Sequence, residues 1–155
     1  MLDLYDEARA LVRALEEQGV EYALCGGLAM AVHGVPRATV DIDLLIAPDS
    51  LDRVKTIVRQ LGYVFEAQPM SFAGGAVEIR RISKPDPEGG DVLKLDLLLV
   101  TPEIRRFWEQ RELVEWEEGP LWVVSRDGLI GLKSLRDSGT DRDDIRKLRE
   151  PDDER

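Results

Sequence analysis

Cysteine and histidine occur once each in 155 residues, and aromatic side chains make up 6% of the chain. Cys25, alone, allows no intrachain disulfide, so a reducing cytoplasm is the expected setting and the thiol is expected to pack inertly in the core. His33 finds no second histidine and no cysteine cluster with which to build a zinc site, and is expected to pack or cap near Gly26 and Gly27. No apolar segment is long enough for a membrane span, and the N-terminal MLDLYDEARALVRALEEQG reads as an amphipathic helix rather than a secretory signal. Positive charge is in deficit: 21 basic against 31 acidic side chains give a net charge of −10. An acidic surface repels polyanions, so nonspecific nucleic-acid binding is not expected. Only local basic clusters, Arg80, Arg81 and Lys84 or Arg105, Arg106 and Arg111, offer a place for an RNA end.

What is present suits one compact unit over residues 1–150, followed by a frayed acidic tail at 151–155, with 43% hydrophobic and 34% charged residues. Tyr5, Ala8, Leu11, Val12 and Leu15 recur at helical spacing, and Gly19 stops that helix. A short buried strand is expected over 22–25, a helix over about 28–33, and a strand through Asp41 to Ile46. Leu51, Val54, Ile57, Val58 and Leu61 mark a second amphipathic helix that Gly62 ends. A short strand is expected over 63–66 and a pair of strands over 76–83 and 91–100 joined by the loop KPDPEGG, then a short helix begun by Thr101 and Pro102 and a hairpin pairing 113–116 with 121–124. Two helices close the chain, over about 126–136 and 141–149. The fold class is therefore α+β (α/β), a mixed sheet flanked by helices, with acids along one sheet rim and a short C-terminal helical extension.

The segment CGGLAMAVHGVPRATVDIDLLI, residues 25–46, carries the chemistry. On a strand, side chains alternate between faces, so Asp41 and Asp43 point one way and Ile42, Leu44 and Ile46 the other. Two carboxylates that close repel, and one holds its proton at neutral pH unless a cation lies between them. Mg²⁺, a hard ion that takes carboxylate and phosphate oxygens together, is the natural candidate, although a DxD at a strand end is also compatible with plain solvation. Gly26 and Gly27 stand where strand becomes helix, where backbone N–H groups can approach an anion such as phosphate. Farther on, Asp96 interrupts the apolar DVLKLDLLLV. A buried carboxylate must pair, protonate, sit at the rim or bind metal, and the structural alternative to metal ligation is a salt bridge to Lys94, two residues back on the same face.

Thirteen residues separate the Gly-Gly pair from the DID, and a strand aspartate follows later. This order resembles the nucleotidyltransferase superfamily related to DNA polymerase beta, and residues 26–46 look most like its minimal members of the AbiEii toxin type, including His33, Gly34, Arg37, Thr39 and the DIDL. The resemblance runs from Tyr22 to Leu148. It implies a nucleotidyltransferase fold and transfer of a nucleoside monophosphate from a nucleoside triphosphate to an acceptor hydroxyl. Asp41, Asp43 and Asp96 would be the catalytic and metal-binding residues for two Mg²⁺ ions. Gly26, Gly27, Arg37, Thr39 and Lys133 would hold the nucleotide. Lys133, Asp141 and Asp144 fall on the family's closing helices, Ser138 stands where an arginine is common, and Arg136 is a nearby substitute. Because Leu129, Ile130, Leu132 and Leu135 form a core stripe, Lys133 is expected to project from the other flank, with an ordinary solvated lysine as the structural alternative to nucleotide binding. The implied partners are a nucleoside triphosphate, a tRNA end, small molecule or protein hydroxyl as acceptor, and a cognate antitoxin. A non-catalytic nucleotide- or partner-binding domain of the same fold is the alternative. The helical region after the core is shorter than AbiEii-type toxins usually carry, which points to a small acceptor, a partner protein or a dimer.

Overall fold

The structure, a computed structural model, describes residues 2–36, 38–116, 119–136 and 138–150. In chain order the elements are α1 (Leu4–Glu17), β1 (Ala23–Cys25), α2 (Gly26–Val32), β2 (Asp41–Ile46), α3 (Leu51–Gln60), β3 (Phe65–Glu66), β4 (Met70–Phe72), β5 (Val77–Pro85), β6 (Val92–Leu99), α4 (Arg105–Glu109), β7 (Glu112–Trp116), β8 (Gly119–Val123), α5 (Arg126–Arg136) and α6 (Gly139–Arg149). The strands form one mixed sheet in the order β3-β5-β6-β2-β1-β8-β7, with β4 also pairing β5. β2 and β6 run parallel at its centre, where Ile42, Leu44 and Ile46 of β2 and Leu95 and Leu97 of β6 are fully enclosed. Each such side chain contributes about 1.5–3 kcal/mol on burial, so the two strands that bear the acids are among the least deformable parts of the molecule.

Helices cover both faces because the central strands are apolar on both. α1 and α3 pack together on one face, where Asp3 caps α1 by accepting a hydrogen bond from the Asp6 amide and Ala8, Leu11, Val12 and Leu15 enter the core. Tyr5, expected in that stripe, is 53% exposed. At about 100° per residue it stands at the margin of the stripe, on the rim of a groove shared with Val32 and Trp116. α2 and α5 cover the opposite face, which is the face of the acids. The third strand is shorter than expected, beginning at Phe65, and β4 has no counterpart in the sequence reading. Its residues make no apolar alternation long enough to stand out; pairing with β5 alone makes them a strand.

The basic clusters are largely committed within the fold. Lys84 pairs with Glu7 at 2.8 Å and lies over the Tyr63 ring, Arg80 pairs with Glu78, and Arg81 turns to Asp96. Arg111 lies between the rings of Trp108 and Trp122 and pairs with Glu21 at 3.6 Å. Among the described residues no helix is long and apolar enough to cross a membrane. The tail at 151–155 lies outside the described residues.

Candidate active site

Strand register assembles the acids. Asp43 of β2 stands opposite Asp96 of the parallel β6 on one side and Cys25 of the antiparallel β1 on the other, and Asp96 stands opposite Arg81 of β5. One row across four strands thus reads Arg81, Asp96, Asp43, Cys25, with neighbours about 4.8 Å apart in strand spacing. The next row toward the open rim reads Ser83, Lys94, Asp41. Residues two apart on a strand share a face, so the three carboxylates expected from sequence project to the same side of the sheet.

The cluster is electrostatically strained. Desolvation, then the charges of Asp96 and Asp41, push the Asp43 carboxyl from its ordinary 3.8 up to about 7, against a smaller opposing pull from Arg136 and Lys133. Asp41 Oδ1 is buried with no hydrogen-bond partner. An orphaned carboxylate oxygen beside a second carboxyl that resists ionisation is a donor set suited to a hard divalent cation such as Mg²⁺. Among the described residues no three His, Cys, Asp or Glu side chains converge closely enough to hold an ion as they stand. The reason lies with Asp96. Its partner is not Lys94, as the same-face spacing suggested, but Arg81, whose Nε donates to Oδ1 at 2.7 Å and Nη2 to Oδ2 at 3.0 Å. A guanidinium facing across antiparallel strands meets both carboxylate oxygens at once, which an ammonium beside it on the same strand cannot.

The glycine pair abuts the acids. Gly26 adopts φ +69°, and a Cβ there would fall 2.1 Å from Asp43 Oδ2, so only glycine fits this approach. A Cβ on Gly27 would fall 2.7 Å from Thr39 Cβ, and the Thr39 hydroxyl donates to the Asp41 carbonyl at 3.4 Å. α2 begins at Gly26, two residues earlier than the apolar pattern suggested. His33 packs as expected: its Nε2 lies 2.8 Å from the Val124 carbonyl, and the Arg126 guanidinium donates to the His33 and Leu148 carbonyls. Arg37 lies outside the described residues.

Lys133 is not the ordinary solvated lysine of the structural alternative. It is 7% exposed rather than solvated, because α6 packs on the flank of α5 that the apolar stripe left over and brings two carboxylates to it. Its Nζ lies 2.9 Å from Asp144 Oδ2 and 3.8 Å from Asp141 Oδ1. Asp141 in turn makes a capping box with Ser138, so the residue that replaces the expected arginine ends up as the N-cap of α6. Arg136, one turn beyond Lys133, reaches Asp141 at 3.8 Å. Lys133 and Arg136 share with Cys25, Gly26 and Asp43 a cavity of about 30 Å³ floored by Ile79, Leu98, Leu129 and Leu132. That holds a water or a small ion. Sequence reasoning missed Arg81 as the partner of Asp96; its signal, a basic residue on a neighbouring strand, is silent until the register is known.

A mixed sheet with a glycine turn and three acids on one face, closed by helices at its edge, is the architecture of the nucleotidyltransferases. The chain belongs to the family described as nucleotidyl transferase AbiEii toxin, type IV toxin–antitoxin system, whose profile matches residues 9–133. Among solved structures it is similar in fold to TM1012 from Thermotoga maritima, with 15% identity, TM-score 0.57 and coverage of 90% of this chain and 91% of that one. ANT(2″)-Ia in complex with adenylyl-2″-tobramycin is similar at 18% identity and TM-score 0.58, covering 91% of this chain and 84% of that one. The lincosamide antibiotic adenylyltransferase LnuA, lincomycin-bound, is similar at 17% identity and TM-score 0.55, covering 92% and 94%. Comparison with proteins of curated function gave no significant match.

Proposed function

We propose that the chain transfers a nucleoside monophosphate from a nucleoside triphosphate to an acceptor hydroxyl, with Asp41, Asp43 and Asp96 at the reacting phosphorus. The observation that carries this reading is the row that sets Asp96 and Asp43 side by side, with Asp41 one row above and Gly26 pressed against the Asp43 carboxylate. Mg²⁺ held by Asp41, Asp43 and Asp96 would neutralise charge on the phosphoryl oxygens. Gly26 and Gly27 present backbone to the β and γ phosphates. The cavity beneath Asp43 is too small for a nucleotide, so the triphosphate lies on the open rim above it. Asp96, oriented by Arg81, accepts the proton of the acceptor hydroxyl, with Thr39 beside Gly27 near the phosphates. Lys133 acts from its buried pair, as a fixed positive charge that tempers Asp43 rather than as a mobile phosphate ligand. The family supports a toxin role under a cognate antitoxin, the lone cysteine fits a cytoplasmic setting, and the acceptor is an RNA end or a small molecule of the kind the antibiotic adenylyltransferases among the neighbours carry.

The test is incubation of purified protein with labelled triphosphates, Mg²⁺ and either total RNA or a small-molecule extract. Label transfer should vanish when Asp41 and Asp43 are both Asn. Undiminished transfer by that variant removes these residues from the chemistry. A second reading, a domain that binds nucleotide without turning it over, draws support from the grip of Arg81 on Asp96. Calorimetric triphosphate binding without label transfer under any acceptor tried would favour it.

A further inference from the structure

Both oxygens of Asp96 are already engaged. Arg81 Nε donates to Oδ1 at 2.7 Å and Nη2 to Oδ2 at 3.0 Å, and the carboxylate is 5% exposed. The charges of Asp41 and Asp43 reach the same guanidinium. Asp41 differs, since its buried Oδ1 has no hydrogen-bond partner. A divalent cation on Asp41 and Asp43 therefore displaces nothing. One on Asp96 must loosen a bidentate, charge-assisted pair, or meet the guanidinium at close range as a like charge. The fold offers Arg81 no exchange of its own. On its face of the sheet Ile79 and Ser83 stand two residues to either side of it on β5, and Met70 and Phe65 of the edge strands oppose those two. None of these four neighbours is anionic, so an N–H that left Asp96 would find no second carboxylate among them.

A bound triphosphate changes both sides of this competition. Its oxygens add ligands for a cation over the acids, and they offer the guanidinium a replacement anion that suits its fork. We propose that Arg81 is a gate on Asp96: the substrate-free chain holds one divalent cation, on Asp41 and Asp43, and Asp96 gives an oxygen to a second only when a triphosphate oxygen takes over an N–H of the guanidinium. This rests on the transfer reading above. The exchange makes and breaks no covalent bond and moves no proton; Arg81 trades one oxyanion for another, and its remaining N–H keeps Asp96 oriented. The consequence is an order of assembly in which triphosphate precedes the second cation. Arg81 is thus a positioning residue, acting on the cation site through Asp96.

The experiment uses Mn²⁺ as the probe, because two Mn²⁺ ions about 3.5 to 4 Å apart couple magnetically and are told from isolated ions by electron paramagnetic resonance. Spectra are compared for the wild type, Arg81→Met, Arg81→Lys and Asp96→Asn, each checked by thermal melt. Each is recorded with Mn²⁺ alone and with a nucleoside triphosphate made inert by a methylene bridge between its α and β phosphorus atoms. The wild type should show isolated ions with Mn²⁺ alone and a coupled pair once the analogue is bound. Arg81→Met should show the pair with Mn²⁺ alone, its second ion held about tenfold to a hundredfold more tightly than in the substrate-free wild type. Arg81→Lys keeps the charge but loses the fork, and should form the pair at an intermediate Mn²⁺ concentration. Asp96→Asn should form no pair with or without the analogue. A coupled pair in the substrate-free wild type, isolated ions in Arg81→Met, or isolated ions in the wild type with the analogue bound overturns the gate. Calorimetry reads analogue binding separately, and its absence in the wild type defeats instead the transfer reading on which the gate rests.

Discussion

The charge on Asp43 should make this protein less stable as pH rises, and removing it should reverse the trend. Its carboxyl is raised from 3.8 to about 7 in the folded state by desolvation and by Asp96 and Asp41. A group with a raised folded pKa binds its proton more tightly when folded, so stability is greatest below the unfolded value and falls as pH climbs toward 7. A shift of about three units at about 1.36 kcal/mol each gives an upper bound of about 4 kcal/mol of destabilisation at pH 8. At pH 4.5 the same linkage leaves about 1 kcal/mol. Asp43→Asn keeps the shape beside Gly26 and removes the charge. Without divalent ions its melting temperature should exceed that of the wild type by a few degrees at pH 4.5 and by up to about 8–16 °C at pH 8, at about 2–4 °C per kcal/mol for a domain of this size. Mg²⁺ should raise the wild type at pH 8 and narrow the gap, because a cation offsets the like charges that raise this carboxyl. Melts in chelator and in Mg²⁺ across that range test it. A gap that does not change with pH, or a variant less stable at pH 8, would show that Asp43 is not held in a carboxylate-rich, desolvated position.

Three further outcomes follow from contacts already described. Gly26→Ala forces an L side chain into φ +69° and against Asp43 Oδ2; it should cost about 1–3 kcal/mol and abolish Mg²⁺-dependent triphosphate binding measured by calorimetry. Lys133→Met strands Asp144 and Asp141 in the interior and should cost about 3–5 kcal/mol, while Lys133→Met with Asp144→Leu should recover most of that in a chemical-denaturation cycle. Arg81→Met leaves Asp96, 5% exposed, without its bidentate partner and should cost at least about 1–3 kcal/mol in chelator, with a larger Mg²⁺-induced rise in melting temperature than the wild type shows. An Mg²⁺ response equal to that of the wild type would mean that Arg81 and the cation do not share Asp96.

Local chemistry made most of the fold legible. The stripes of α1 and α3, the apolar strands around Asp41 to Ile46 and Val92 to Leu99, and the 113–123 hairpin all announce themselves by period, and the elements fall within a few residues of their expected bounds. The alternation that sends Asp41 and Asp43 to one face is a property of the strand itself. So is the need for glycine at a tight strand-to-helix turn, although the 2.1 Å approach of Gly26 to Asp43 shows why no other residue fits there.

Partnership was what sequence could not assign, because a side chain's neighbours across a sheet depend on strand order and register, both set by long-range packing. Lys94 and Arg81 have the same charge and lie on adjacent strands; only the antiparallel register that sets Arg81 opposite Asp96 gave one a carboxylate and left the other free. Nothing in the sequence separates Lys133 from a surface lysine until α6 folds back and buries it with Asp141 and Asp144. The chain alone thus determined which residues bear charge and which strand face they occupy, through the two-residue repeat of extended backbone. Tertiary structure decided which of those charges neutralise one another and which stay open to a ligand, because Coulomb energy depends on distances that only the packed sheet fixes.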